Sequence, residues 1–284
     1  MFNTIGKIIK WIGQHFLGML FLLIAFVVLM PTSTAELKPA NLQEIQLTGP
    51  IINADEILKE IETAQKDTKI KGVLFNINSP GGAVPPSIEL AYAIKALKAH
   101  KPVVVYASGI MASGSYYSAI YADKIIANPG SIVGSIGVIM ESANIEELME
   151  TIGIETQIVK QGTYKEAGTP TRKWTAEERE ELERLTKDTY DLFVKDVAEA
   201  RGLDIKDSDK YADAHIFSAK RAQDAGLIDD VGVKSQAKTE VEKLAKVANP
   251  VWKEKDKLES FMEQFATKGM MQLHNYFYGL KSSL

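Results

Sequence analysis

Four serines lie within one stretch of thirteen residues, Tyr106–Ser118, which reads "YASGIMASGSYYS". They are Ser108, Ser113, Ser115 and Ser118, and they stand among small and apolar residues. Such hydroxyls can fill space in a packed core, or one of them can be a nucleophile. A nucleophilic serine needs a base that takes its proton and donors that stabilise the oxyanion it creates. Both groups have to come from elsewhere in the chain.

A glycine-rich turn offers candidate donors. The segment "NSPGG", Asn78–Gly82, ends a strand rich in β-branched residues. Two glycines after a proline form a turn that side chains do not block, so backbone N–H groups are free to point at a ligand oxygen. The motif alone fits a simple tight turn equally well.

Ser113 has the best position of the four serines. The run follows a predicted strand over 102–108 and precedes a predicted helix. Ser113 is therefore expected at the carboxyl end of a sheet, beside the N–H donors of a helix start. Ala112 and Gly114 flank it and leave room for a substrate carbonyl. Met111 stands where G-x-S-x-G needs its first glycine, so the sequence does not support an α/β-hydrolase elbow.

The base is harder to find, because the chain has four histidines and no cysteine. Three histidines are poorly placed: His15 in the apolar N-terminus, His100 before the serine-bearing strand and His274 in the tail. His215 remains, although a lone histidine is more often a surface or packed residue. A neutral lysine is the alternative, because burial in apolar surroundings lowers the pKa of a lysine from about 10.4. The segment Ser235–Lys238 fits S-x-x-K but lacks the partner motifs of that enzyme class.

Strands and helices alternate along the chain, which predicts an α/β domain with a mostly parallel sheet. The predicted strands cover 42–52, 70–78, 102–108 and 124–128, and the predicted helices cover 54–67, 86–100 and 112–121. Asn53 is expected to cap the first of these helices. Thr175 and Glu178 predict a capping box for a long helix that follows, read as an elaboration of the domain.

Composition removes several classes of function. The formal net charge of −4 gives no basic footprint, so no nucleic-acid partner is expected. The absence of cysteine excludes disulfides, thiolate zinc sites and a cysteine nucleophile. A hydrophobic content of 45% with 25% charged residues is ordinary for a globular protein of 284 residues.

The N-terminus predicts export. Residues 16–30 are uncharged and apolar, and with the residues just upstream they reach the length of about 20 that crosses a bilayer. Lys7 and Lys10 precede this span, which predicts a cytoplasmic N-terminus and an exported domain. A cleavable signal peptide is the alternative, with Ser33 and Ala35 as its small residues.

The domain prediction has four parts. A cytoplasmic stub and transmembrane anchor occupy 1–30, and a linker occupies 31–40. The α/β domain covers 41–247. A helical extension covers 248–284, and it would pack on its own domain, a partner subunit or a membrane surface.

Three segments together resemble a known family: "FNINSPGG", "ASGIMASGSYYSAIYADKIIANPGSIVGSIGVIMES" and "KQGTYKEAG". The chain resembles the signal peptide peptidase A family, membrane-anchored serine proteases of bacteria with a ClpP/crotonase-like fold. The resemblance covers about 40–235, includes the later "FSAKRAQDAGLIDDVG", and follows the motif order of the short, single-domain form.

The resemblance assigns the roles residue by residue. Ser113 in "ASGSYY" matches the nucleophile, and Lys165 in "TYKEAG" matches the general base. Ser135 in "VGSIGV" matches the serine that orients this lysine, and the N–H groups of Gly82 and Gly114 match the oxyanion donors.

Four further positions differ from the family or bear on these roles. Ser115 stands where the family often has glycine, and Ala214-His215 stands where it often has Gly-Arg, which puts a local turn in doubt. Glu166 would favour the charged form of Lys165 if both side chains faced the same way. An extended segment is expected here, and it would point them to opposite faces.

The resemblance also implies an activity and a place for it. It implies hydrolysis of cleaved signal peptides and other extended hydrophobic peptides by a homo-oligomeric ring without metal or cofactor. The ring would sit on the bacterial inner membrane by single-pass anchors, with its catalytic domains on the extracytoplasmic side.

Two other functions remain alternatives. A crotonase-like enzyme acting on acyl-CoA would share the fold, but the export signal argues against it because CoA is cytosolic. An inactive membrane-anchored scaffold would not need both Ser113 and Lys165.

Overall fold

The computed structural model describes residues 10–22 and 39–253. The chain divides into two compact units, Met1–Pro39 and Ala40–Leu284. The described part of the first unit is a helix, α1, over 10–22. Within the two described ranges, no helix combines the length and apolarity of a membrane span.

Several predicted segments lie wholly or partly beyond these ranges. Residues 23–30 of the predicted anchor, most of the linker and residues 254–284 of the predicted extension are outside the described residues. The anchor, the linker, the domain limits and the extension therefore stay predictions.

The second unit alternates strands and helices. In chain order its elements are β1 Leu42–Thr48, α2 Asp55–Lys66, β2 Gly72–Ser79, α3 Val84–Lys98, β3 Val103–Ala112, α4 Gly114–Ala119, β4 Lys124–Ala127, β5 Ile132–Gly134, α5 Glu146–Ile152, α6 Ala176–Arg201, a 3-10 turn Ile205–Asp207, α7 Ser208–Tyr211, β6 Ile216–Ser218, α8 Ala219–Asp224, β7 Asp230–Val231 and α9 Lys234–Leu244.

The strands form one mostly parallel sheet in the order β1-β2-β3-β4-β7. The short strand β5 pairs in parallel with the end of β3, and β6 pairs with β5 in the antiparallel sense. The central strands are continuous runs of buried apolar residues because helices cover both faces. The α/β prediction with a mostly parallel sheet is confirmed.

The core lies on both sides of this sheet. On one face, Phe75 and Val105 belong to a large cluster that includes residues of α2, α3 and α4. On the other, Leu74 and Val104 pack in a smaller cluster with Val241 of α9. Alternate residues of each strand supply the two faces, as the side-chain period of a strand requires.

A bulge in β3 changes where the strand ends. Between the pairs Ile77–Ala107 and Ser79–Met111, β2 advances by two residues and β3 by four. Asn78 stabilises the extra residues, because its Oδ1 accepts the backbone N–H of Ile110 at 3.0 Å. The strand predicted to end at 108 therefore runs to 112, and the helix predicted from 112 begins at 114.

Two capping predictions have opposite outcomes. The prediction that Asn53 caps α2 is wrong, because Ala54 occupies the cap position and no side chain bonds there. The capping box of α6 is confirmed. Thr175 Oγ1 accepts from Glu178 N at 3.2 Å, and Glu178 Oε2 accepts from Thr175 N at 2.9 Å.

This capping box predicts a measurable effect on stability. Thr175→Ala removes an acceptor for a helix N–H, so the free energy of unfolding should fall by about 1 kcal/mol. Thr186→Ala, inside the same helix, is the control: its hydroxyl only donates back to carbonyls of its own helix, those of Leu182 and Glu183, each at 3.0 Å. That substitution should be neutral or slightly stabilising. Chemical denaturation of the full chain measures both, and equal losses would contradict the role of the cap.

Candidate active site

Ser113 occupies the sharp turn between β3 and α4. Its backbone has φ 54° and ψ −126°, a conformation that a residue with a side chain rarely adopts. Two hydrogen bonds hold it there: Ser113 N donates to Gly134 O at 2.8 Å, and Ser113 O accepts from Tyr117 N at 2.9 Å. The turn is therefore fixed by β5 on one side and by the first turn of α4 on the other.

The four serines of the run differ in what their hydroxyls do. Ser115 is fully buried, and its hydroxyl lies 2.7 Å from the Ser79 carbonyl, which joins α4 to the end of β2. Ser118 is also buried and donates to a carbonyl of its own helix, whereas Ser108 donates to a carbonyl of β2. The hydroxyl of Ser113 makes no hydrogen bond with any described residue. Ser113 alone of the four has a free hydroxyl.

Ser113 faces a largely apolar pocket, called here the Ser113 cavity. Its walls come from the turn after β2, from α3, from the start of α4, from the loop after β5 and from α6. The lining residues are Gly82, Val84, Ser87, Ile88, Ser113, Gly114, Tyr117, Gly137, Val138, Thr189, Leu192 and Phe193.

The glycine turn after β2 presents a free N–H to this cavity. Ile51 N donates to Gly81 O and Ile51 O accepts from Ala83 N, both at 2.8 Å. Gly82 lies between these two bonds, and its own N–H has no acceptor among the described residues. The N–H of Gly114, the first residue of α4, likewise has none in the described ranges.

The two glycine N–H groups are close together. A Cβ placed on Gly114 would lie 3.4 Å from Gly82 N and only 2.2 Å from Ser87 Oγ. A Cβ on Gly81, whose φ is +92°, would lie 2.6 Å from Gly114 N. Only glycine fits this contact between the two loops. The arrangement places two free donors beside the Ser113 hydroxyl, which is what an oxyanion hole requires.

The sequence predicted α6 only as a helical elaboration of the domain, and its contribution to this cavity was not predicted. Leu192 and Phe193 form part of the wall. The sequence does contain a signal that one face of α6 packs against the domain. Apolar residues recur there at helical spacing, at Tyr190, Phe193, Val194 and Val197.

Buried contacts attach α6 to α4, the helix that follows Ser113. The Tyr117 hydroxyl donates to Asp196, and the Tyr117 ring lies 4.7 Å from that of Phe193. Burial, together with the bond to Asp196, raises the pKa of Tyr117 far above its ordinary value. The bond between these two buried side chains ties α4 to α6.

Ser135 lies at the same level of the sheet as Ser113. Ala112 pairs with Gly134 across β3 and β5, so both serines directly follow a pair in neighbouring parallel strands. Ser135 also has a positive φ, 51°, and its N–H donates to His215 O at 2.7 Å. Its hydroxyl has no hydrogen-bond partner in the described part of the chain.

The turn before β6 keeps the backbone of a glycine turn. Asp213 and Ala214 have φ values of 51° and 56°, and Ala214 N donates to Ile136 O at 2.9 Å. The doubt raised by alanine at this place is resolved, because alanine adopts the left-handed conformation there. The exposed His215 ring only contacts Phe217 edge-on, so its side chain has no bond to Ser113.

Lys165 does not lie at the Ser113 cavity of its own chain. It is exposed, it is absent from the lining of the Ser113 cavity, and its amine makes no hydrogen bond or ion pair with a described residue. The structure therefore places Ser113, Gly82 and Gly114 on one cavity. Ser135 follows the neighbouring strand at the same level of the sheet, and Lys165 does not line the cavity.

The segment around Lys165 is also not extended as predicted. It forms a series of turns over 161–168, and the positive φ values of Gly162 and Gly168 make these turns possible. Glu166 nevertheless does not pair with Lys165, because Lys160 and Arg172 occupy its carboxylate. These two cations hold the pKa of Glu166 below its ordinary value.

Comparison with known proteins gives the family. The model of peptidase family S49 matches residues 95–248. A predicted protease of Methanocaldococcus jannaschii is 45% identical over 190 residues, which are 67% of this chain and 61% of that protein. A predicted signal peptide peptidase SppA of Enterococcus faecium is 32% identical over 69% of this chain and 58% of its own length. The chain thus spans about three fifths of the length of these two relatives.

A solved structure shows the same fold. An alanine mutant of the membrane-bound, stomatin-specific protease 1510-N matches 78% of this chain and all of its own, with a TM-score of 0.54 and 14% identity. The architecture is the mixed α/β, ClpP-like fold with a mostly parallel sheet. The chain belongs to peptidase family S49 and is an SppA-type peptidase.

Proposed function

We propose that this chain is a serine endopeptidase in which Ser113 is the nucleophile. The observation that carries the proposal is the free hydroxyl of Ser113 on a strained turn beside two unpaired backbone N–H groups. Membership of a serine peptidase family supports it. In this mechanism a peptide carbonyl enters with its oxygen towards the N–H groups of Gly82 and Gly114.

The reaction has two halves. The Ser113 oxygen bonds to the carbonyl carbon while its proton passes to the neutral amine of Lys165, and the carbonyl oxygen becomes an anion held by the two glycines. Collapse of this intermediate breaks the peptide bond, and the leaving nitrogen takes the proton from the lysine. Water, deprotonated by the same lysine, then releases the acyl group and restores Ser113. Ser135, with its free hydroxyl at the same level of the sheet, orients the lysine.

We infer that the lysine comes from a second copy of the chain. Two observations support this: Lys165 lies outside the Ser113 cavity of its own chain, and the segment that carries it has an unusually apolar surface. No residue of α5 is buried. Large apolar side chains in α5 and in the segments on either side of it are exposed, among them Ile139, Leu148, Ile152, Ile154, Ile158 and Val159. So many exposed apolar side chains within one segment are typical of an interface between subunits.

The substrates in this proposal are extended, apolar peptides. The largely apolar lining of the Ser113 cavity supports apolar side chains at the cleaved position. Cleaved signal peptides have this chemistry. The predicted anchor within 1–30 would hold a ring of copies on the outer face of the bacterial cytoplasmic membrane, where such peptides leave the bilayer.

Removal of the nucleophile tests the proposal directly. Ser113→Ala should lower hydrolysis of an unstructured peptide by at least about 10³-fold, as loss of the nucleophile does in other serine proteases. The matched control is Ser108→Ala in the same run, whose hydroxyl is outside the cavity. Circular dichroism should show both variants folded. Peptide turnover by Ser113→Ala at the wild-type rate would refute the assignment.

The shared site predicts complementation between two inactive variants. Ser113→Ala and Lys165→Ala subunits, co-assembled at equal ratio, should recover about one quarter of wild-type activity, because random neighbours in a symmetric ring restore that share of sites. Ser113→Ala mixed with the double variant is the control and should stay inactive. If mixed oligomers form and recover nothing at any ratio, the base belongs to the same chain as the nucleophile.

The lining of the cavity predicts specificity. Val138→Phe should reduce the space for a substrate side chain and raise KM for peptides with a large apolar residue at the cleaved position. Peptides with alanine there should be affected much less. Val233→Phe, at an exposed valine outside the cavity, is the control. Equal changes for both peptide classes would contradict this use of the cavity.

A further inference from the structure

Arg172 is fixed against the start of α6. Its Nη2 donates to Glu178 Oε1 at 2.7 Å and its Nη1 to Glu178 Oε2 at 2.9 Å, a two-point pair of the geometry that arginine and carboxylate prefer. The Glu178 side chain is 3% exposed and also completes the capping box. Arg172 and the backbone of Thr175 lower the pKa of Glu178 to about 2, so this anchor stays charged.

Arg172 also reaches the turn that carries Lys165. Its Nη2 donates to Glu166 Oε2 at 3.1 Å, and Lys160 pairs with the same oxygen. The Glu166 side chain is 14% exposed, whereas that of Lys160 is 36% exposed. Arg172 is the anchored partner of Glu166, because it also binds the buried Glu178; its side chain is 28% exposed, against 36% for Lys160.

The charge of Glu166 bears on the protonation state of its neighbour, Lys165. Glu166 follows Lys165 directly, and a carboxylate that contacts a lysine stabilises its ammonium form. An ammonium group has no lone pair with which to accept a proton from serine. A base at Lys165 therefore requires that the adjacent carboxylate be bound elsewhere.

We propose that Arg172, held by Glu178, is a positioning residue that keeps the Glu166 carboxylate away from Lys165 and so leaves the lysine amine free to act as the base. This inference rests on the proposed function, in which Lys165 takes the proton of Ser113. The inference assigns a supporting role to three residues, Glu166, Arg172 and Glu178, none of which contacts the substrate or Ser113.

A second-site rescue tests the inference. The series is made in a Lys160→Gln background, which removes the second partner of Glu166. There Arg172→Gln frees the Glu166 carboxylate, and kcat should fall about tenfold with KM unchanged, because a contacting opposite charge raises the pKa of a lysine by at least about one unit. Glu166→Gln alone should keep nearly wild-type kcat. The double variant Arg172→Gln/Glu166→Gln should recover most of the lost kcat. Glu178 is left unpaired in both Arg172 variants, so any general loss of stability is the same in the two.

The control is another arginine of the same type. Arg201 lies at the opposite end of α6, is 10% exposed and pairs with Asp229 at 2.8 Å. Arg201→Gln should lower thermal stability and leave kcat unchanged. If Arg172→Gln does not fold, Arg172→Lys replaces it in the series, because a single ammonium paired with the buried Glu178 lacks the second nitrogen with which the guanidinium reaches Glu166.

The outcomes separate this inference from the proposed function. Wild-type kcat in a folded Arg172→Gln variant would overturn the inference. So would an Arg172→Gln/Glu166→Gln variant that is no more active than Arg172→Gln. An equal loss in Glu166→Gln would show instead that Glu166 anchors the turn. The rate of covalent labelling of Ser113 by a fluorophosphonate is the second readout. If Lys165→Ala is labelled and active at the wild-type rate, the base assignment itself fails, whatever the Arg172 variants do.

Discussion

One hydrogen bond, from Ser113 N to Gly134 O, sets the geometry of the whole site. It closes the pairing of β3 with β5 and holds Ser113 in a backbone conformation that an isolated residue would avoid. Because the chain turns sharply there, the next N–H, that of Gly114, faces the cavity instead of the sheet. The same pairing brings Ser135 to the level of Ser113.

The strain of this turn is offset by the packing of the short helix that follows it. Every residue of α4 is buried. Ser115 hydrogen bonds to backbone at the ends of β2 and β3, and the Tyr116 hydroxyl donates to Leu227 O at 2.8 Å. Tyr117 joins the helix to α6. A turn held from so many sides is pre-organised, which is what stabilisation of an oxyanion without reorganisation demands.

The long helix α6 links the two halves of the proposed chemistry. Its middle lines the Ser113 cavity, and its capped start holds Arg172 and, through it, the turn with Lys165. The proposed nucleophile rests on a turn packed against buried residues, whereas the proposed base rests on an exposed segment with many apolar side chains. This division suits a site that is complete only when copies of the chain assemble.

Features that depend on near neighbours were predictable from the sequence: the β-branched strands, the capping box of Thr175 and Glu178, and the motifs that identify the family. Features that depend on pairing between distant segments became visible only in the folded chain. The bulge of β3 arises because Asn78 bonds to Ile110 across the sheet, and α6 becomes a cavity wall through contacts with α4. Lys165 lies on an exposed series of turns and does not line the cavity of Ser113. Spacing along the chain fixes local geometry, but packing between remote segments decides which side chains meet.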